Sequence, residues 1–238
     1  MTPYYPIYLD LRGRHVLIVG GGPIATGKAQ SLIETGAQVC VVAPDVSAAI
    51  QQWHAEGALT WRARAFSDGD IDGQFMVIGA TDDKSLNARV YQLANAQQRV
   101  ANAVDDLDNC NFIAPAIARR GLLQVAVSTS GASPALAKQI RDRIEHEFLT
   151  DAAAALADFL GSWRPAAKEA LPTYQRRQAL WEGVLESCLP ALLAAGERAR
   201  AAELMREFLD RGMRPADAAA RCAALSERAA ACRACRGQ

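Results

Sequence analysis

The 238-residue chain predicts an α/β fold: an N-terminal parallel sheet, then a small α+β segment, then a helical C-terminal domain. Three observations carry this. Over roughly the first 110 residues, short apolar runs alternate with helical stretches. Two strand-like runs around a tight turn follow, and from 151 onward no strand pattern remains.

HVLIVG (15–20) reads as a buried strand, followed by a glycine turn and a helical pattern to Gly36. QVCVVA (38–43) is a second strand, and 46–56 is helical. ALTWRARA (58–65) alternates like a half-exposed strand. FMVIGAT (75–81) is again continuously apolar, 83–97 is helical, and RVANAVD (99–105) closes the series. Strands that are apolar throughout need cover on both faces, which βαβ crossovers supply to a parallel sheet. NFIAPAIA and LLQVAVST flank Arg119-Arg120-Gly121 and read as two strands joined by a tight turn. Ser133-Pro134 then opens a helix, with serine as N-cap and proline at the first helical position. The remainder is rich in Ala, Leu, Arg and Glu, with breaks expected at Pro165, Pro172, Pro190 and Gly212–Pro215. The expected domains are 1–111 for a dinucleotide, 112–150 for the strand pair and helix, and 151–238 for helices, with a frayed tail from about 212.

Lys+Arg and Asp+Glu both count 26, so no net field draws in nucleic acid or an acidic membrane. An anionic ligand would have to be held by a local cluster of charge. No apolar run reaches the roughly 20 residues that cross a bilayer. The N-terminus lacks the charged-then-apolar pattern of a signal peptide, and the six cysteines are scattered rather than packed as a disulfide framework. The expectation is a cytoplasmic protein that binds neither nucleic acid nor membrane.

Gly20-Gly21-Gly22-Pro23-Ile24-Ala25 contains G-x-G-x-x-A between a strand and a helix. The first glycine allows the turn, the second lets backbone approach a pyrophosphate, and the small third residue lets helix and strand pack. Phosphates would lie on the free N–H groups at the helix start, and Gly20, Gly22, Pro23 and Ile24 are the candidate cofactor-binding residues of this turn. Here the motif opens the first βαβ unit, the context that a Rossmann-type nucleotide site requires. An acid at the tip of the second strand would bind the ribose, and Pro44-Asp45 offers one late. No arginine stands nearby in sequence for a 2′-phosphate, which favours NAD over NADP. Thr81-Asp82 follows the third long apolar run and should lie on the same carboxyl edge.

Asp105 follows the last strand and should face the nicotinamide end, where a carboxylate can accept a proton and partial burial would help it do so. The bland alternative is that Asp105 or Asp106 caps a loop.

GGGPIA (20–25), ATDD (80–83), NAVDDLDNCNF (102–112) and VAVSTSGASPALAKQIR (125–141) together resemble the siroheme synthase family, in its precorrin-2 dehydrogenase/sirohydrochlorin ferrochelatase module. The ordered motifs cover residues 6 to about 145, and a looser helical similarity continues to about 209. The resemblance implies NAD-dependent oxidation of precorrin-2 to sirohydrochlorin, insertion of ferrous iron as second substrate in bifunctional members, and a homodimer. It also implies that Asp105 serves both steps. The implied substrate is a polycarboxylate, and Arg119, Arg120, Ser128, Lys138 and Arg141, with Arg143, are the groups near it in sequence that suit carboxylates. For each of them a solvated helix face is the competing reading. Ser130 stands where the family usually has glycine, Gly27 where it has arginine, Leu107 where it often has proline, and Thr129 where one member has serine. No methyltransferase start follows, which predicts a separate enzyme for making precorrin-2.

His15, His54 and His146 lie far apart and form no i,i+4 pair, so no resident metal site is expected. Cys232 and Cys235, a C-x-x-C near the C-terminus, read as part of a helical tail. Three alternatives stay open: dehydrogenation without chelation, a non-catalytic NAD or tetrapyrrole sensor, and a different Rossmann oxidoreductase.

Overall fold

The apolar runs become strands in a computed structural model that describes residues 4–211; Gly212–Pro215 and the tail cysteines lie outside the described residues. The strands are β1 (His15–Val19), β2 (Gln38–Val42), β3 (Thr60–Arg62), β4 (Met76–Gly79) and β5 (Val100–Ala103). All pair in parallel, in the order β3-β2-β1-β4-β5. Strand order therefore reverses between β1 and β4, and a crevice opens at such a switch point beyond the carboxyl ends of the strands.

Alternation along each strand feeds two cores. Val16, Ile18, Val39 and Val41 pack with Ala25, Ala29 and Leu32 of α1 (Pro23–Ile33) and Ile50 of α2 (Ala48–Ala55). Leu17, Val19, Val42 and Val77 pack on the other face with Val90 and Ala94 of α3 (Lys84–Ala96). Each fully buried branched side chain contributes about 1.5–3 kcal/mol relative to an exposed one, so cover on both faces holds the sheet together.

β3 is shorter than the alternating run 58–65 suggests, because it is an edge strand paired on one side only. The crossover to β4 holds a single 3₁₀ turn, Asp68–Ile71, in place of a helix. Its anchor is Asp70, whose side chain is 2% exposed and which takes Arg62, Arg64 and the Ser67 N–H as partners.

Among the described residues, 115–128 and 134–211 belong to a second compact unit, whereas 129–133 belong to the first. β6 (Ala116–Arg120) and β7 (Leu123–Val127) make an antiparallel hairpin. Arg120 lies opposite Leu123, so the turn is Gly121-Leu122, and Arg119 and Arg120 are strand residues rather than turn residues. α4 (Pro134–Phe148) begins on its proline, as expected. α5 (Asp151–Ala170), α6 (Tyr174–Glu186), α7 (Leu189–Ala194) and α8 (Arg198–Arg211) follow around a core of Phe159, Leu180, Leu189, Leu204 and Met205. Thr150 and Thr173 cap α5 and α6 by accepting from the backbone N–H groups of Ala153 and Arg176.

One expected break fails. Pro165 lies inside α5, where it removes a backbone donor, at a typical cost of about 3 kcal/mol. Phe159 and Ala167 are buried on either side of it, and that packing carries the helix through. Pro172 and Pro190 do fall at boundaries, between α5 and α6 and in the first turn of α7. Among the described residues, no helix is long and apolar enough to cross a membrane.

Candidate nucleotide and active site

The glycine turn is built by close backbone approaches. Gly20 has φ +123°, and a Cβ there would lie 2.3 Å from the Ala80 carbonyl oxygen. Its N–H donates to the Val42 carbonyl at 3.0 Å, tying the ends of β1 and β2 together. Gly21 fits only because it lacks a side chain: a Cβ would lie 2.0 Å from the Asp45 carbonyl oxygen. The Ser47 N–H donates to the Gly21 carbonyl at 3.1 Å, and the Thr26 and Ser47 hydroxyls bond at 2.8 Å. Gly22 differs. It precedes α1 in extended backbone, no side chain caps that end, and a Cβ on Gly22 would enter open space. Pro23 and Ile24 are exposed beside it, as are Pro44 and Asp45 at the β2 tip. The start of α1 is therefore open at Gly22, with uncapped helix N–H groups and the room that a pyrophosphate would need.

Thr81 lies on the same edge, after β4, with its own groups engaged. Its hydroxyl bonds Asn87 Oδ1 at 2.8 Å, its N–H donates to that oxygen, and Asn87 Nδ2 donates back to the Thr81 carbonyl. Asn87 is 3% exposed and was hidden in sequence as one polar residue of a helix. Asp82 is exposed. Asp83 caps α3; the Ser85 hydroxyl and then the Leu86 N–H hold its carboxyl below the usual carboxylate range.

Asp105 follows β5 on this edge in left-handed backbone, φ +58°. Non-glycine residues rarely sit there, and such strain gathers at functional sites. The partial burial expected of Asp105 is not found: the turn projects it off the strand end and leaves it exposed. A polar net fixes the loop instead. The Cys110 thiol donates toward the Ala103 and Asp106 carbonyls, at 3.2 and 3.0 Å, on either side of Asp105. Asn102 Nδ2 donates to that sulfur at 3.0 Å, and Asn111 Oδ1 accepts from the Ala101 N–H at 2.7 Å. Burial pushes the Cys110 thiol up.

Two neighbours of Asp105 were not anticipated. Lys28 is half-buried in the second turn of α1; burial pushes its ammonium down, and the Asp105 carboxylate opposes that shift. Residues 129–133 also return to this unit. Gly131 has φ +86°, and a Cβ on it would lie 2.5 Å from Leu107 Cδ1, in the loop just after Asp105. Ser130 is left-handed as well, at φ +53°, and Thr129 Oγ1 closes the turn through the Ser133 N–H at 2.9 Å.

The absence of a nearby arginine holds in sequence but not in space. Arg62 pairs in register with Val42 at the β2 tip, and Arg64 lies two residues on. Parallel pairing brings them there, a relationship that no local spacing reveals.

The carboxylate-binding candidates belong to the second unit. Arg120 pairs with Asp151 at 2.6 Å, Arg141 with Asp142 at 2.5 Å, and Arg143 with Glu147 at 2.7 Å. Arg141 also donates to the Ile117 carbonyl at 3.1 Å. Arg119 and Lys138 are exposed, and Ser128 ends the hairpin. Arg120 and His146 line a cleft with Asp142, Glu145 and Asp151, so acids and bases interleave where the sequence suggests only bases.

Comparison with known proteins places these segments. Residues 7–116 match a family described as putative NAD(P)-binding, 120–147 the central region of sirohaem biosynthesis proteins, and 152–209 the sirohaem synthase dimerisation region. Siroheme synthase 1 of Klebsiella pneumoniae is 40% identical over 208 residues, covering 87% of this chain and 44% of that protein. Siroheme synthase of Neisseria meningitidis is 38% identical, covering 87% and 43%. The chain thus spans less than half the length of these relatives. The solved structure of SirC, precorrin-2 dehydrogenase, superposes with a TM-score of 0.69 at 30% identity, over 88% of this chain and 98% of that one. The chain belongs to the siroheme synthase family, with the family's NAD(P)-binding, central and dimerisation regions in order.

Proposed function

We propose that this protein oxidises precorrin-2 to sirohydrochlorin with NAD as hydride acceptor, and then assists insertion of ferrous iron to give siroheme. The observation that carries this reading is that one sheet edge holds both the open, uncapped helix start at Gly22 and the strained Asp105. Gly20, Gly22, Pro23 and Ile24 would hold the pyrophosphate, Pro44 and Asp45 the ribose, and Thr81 and Asp82 would line the crevice. When bound, NAD supplies a two-electron acceptor for hydride. Asp105 accepts the proton that leaves the substrate with that hydride, so the oxidation balances. In metalation the two pyrrole N–H protons must leave as the iron enters, and Asp105 again serves as acceptor.

Arg119, Arg120, Ser128, Lys138 and Arg141 are proposed to meet substrate carboxylates, for which Arg120 and Arg141 would give up Asp151 and Asp142. Residues 1–111 act as the nucleotide domain, 112–150 as a dimerising strand pair and helix, and 151–238 as the helical part of a cytoplasmic homodimer.

Purified protein given precorrin-2 and NAD under anaerobic conditions should produce NADH and the absorption of sirohydrochlorin. Silence in that assay refutes the dehydrogenase. Ferrous iron added to sirohydrochlorin tests chelation separately, and a rate equal to that without protein removes only that step.

A further inference from the structure

The carboxyl edge of the sheet carries one cluster of charge that the proposed reaction leaves unused. Arg62 Nη1 lies 2.9 Å from Asp70 Oδ1, and Arg64 Nη2 and Nη1 lie 2.5 and 2.7 Å from the two oxygens of the same carboxylate. The Asp70 side chain is 2% exposed, whereas each arginine side chain is 45% exposed. Two guanidiniums share one carboxylate, so one positive charge stays uncompensated within the cluster. Of the Arg62 side-chain donors, only Nη1 hydrogen-bonds among the described residues, which leaves Nε and Nη2 as a fork suited to phosphate oxygens.

The position of the pair is well defined. Arg62 is the register partner of Val42, the Ala43 N–H donates to the Arg62 carbonyl at 3.3 Å, and Trp61 Nε1 donates to the Ala43 carbonyl at 3.0 Å. The β2 tip that continues into exposed Pro44-Asp45 is therefore one strand spacing, about 4.8 Å, from the β3 tip. In a dinucleotide fold the adenosine ribose lies at the β2 tip.

We propose that Arg62 and Arg64 form an anion subsite for a phosphate ester on the ribose 2′ oxygen, so that the nucleotide site accepts NADP as well as NAD. The subsite rests on the dinucleotide binding proposed above. Asp70 holds both guanidiniums in place before the ligand arrives, which lowers the ordering cost that long side chains otherwise incur on binding. Asp45, exposed at the same tip, opposes the arginines: its carboxylate suits a ribose diol and repels a 2′-phosphate.

Calorimetric titration of the full chain with NADP⁺, NAD⁺ and inorganic phosphate tests this. Arg62→Ala leaves Arg64 paired with the buried carboxylate, and an unchanged melting temperature checks that the variant folds. NADP⁺ should weaken about tenfold or more in that variant while NAD⁺ stays within about threefold. Asp45→Asn should shift preference toward NADP⁺. Equal weakening of both nucleotides, or NADP⁺ binding indifferent to Arg62, overturns the subsite. So does inorganic phosphate binding that Arg62→Ala abolishes while NADP⁺ affinity is unmoved. NAD⁺ binding with no NADP⁺ binding overturns the subsite and leaves the dinucleotide site standing; neither nucleotide binding sinks both.

Discussion

Gly21 and Asp45 meet backbone to backbone: a Cβ on Gly21 would lie 2.0 Å from the Asp45 carbonyl oxygen. The glycine turn and the ribose-side loop are therefore one rigid piece, stitched again through Ser47 and Thr26. Gly21→Ala should destabilise the protein by about 1–3 kcal/mol, because neither backbone can yield without breaking that seam. Gly22→Ala makes the contrasting case. Its Cβ enters open space, so stability should change by less than about 1 kcal/mol while nucleotide affinity falls. Urea midpoints and calorimetric titration of the two variants separate fold from site, and identical behaviour of the two contradicts the assignment.

Asp105 keeps a left-handed backbone that glycine would adopt without strain. Asp105→Gly should raise stability by up to about 1 kcal/mol while abolishing dehydrogenation. Asp105→Asn, isosteric and without the proton acceptor, should lose activity and still bind nucleotide. Loss of nucleotide binding in Asp105→Asn would make the residue structural.

Gly131 presses on Leu107, and both lie in short segments around the Asp105 loop. Gly131→Ala adds a clash and a left-handed alanine, for about 1–3 kcal/mol of destabilisation. Leu107→Ala in the same chain should recover part of it. A double-mutant cycle with zero coupling would show that the two segments do not pack as described.

Stability should fall in acid through Asp70. Its carboxyl is held well below the usual carboxylate range, first by the Arg64 hydrogen bond. A group depressed in the folded state stabilises fully above its unfolded value, about 3.9, and loses that contribution as pH falls from there toward the folded value. Asp70→Asn should destabilise by on the order of 3 kcal/mol at neutral pH, by leaving two arginines unpaired. The gap in melting temperature between wild type and this variant should narrow on acidification from about pH 5 to pH 2. A gap that stays constant rules out Asp70 as the titrating group.

How much of this was legible in sequence follows from the range of the interactions. Strands, helices and the Gly20–Ala25 turn rest on local periodicity and could be read from the chain directly. So could Asp105, because it ends the last strand of the series. Arg62 and Arg64 could not, since only parallel pairing carries them to the β2 tip. Gly21 occupies an unspecified position of the motif, and its need for glycine comes from Asp45 in another loop. Asn87 and Cys110 look like ordinary polar or small residues until their backbone partners are known. Pro165 misled because a propensity of about 3 kcal/mol was outweighed by packing on both sides of it.

The return of residues 129–133 to the first unit has a consequence for how the chain is made and divided. The polypeptide leaves the sheet domain at 114, runs through the hairpin, comes back for five residues and leaves again. During synthesis the Asp105 loop thus stays without its Leu107–Gly131 contact until the hairpin has already emerged. No single cut separates the two bodies cleanly. A fragment ending at 128 keeps all five parallel strands and lacks the segment packed against the loop of its proposed catalytic aspartate.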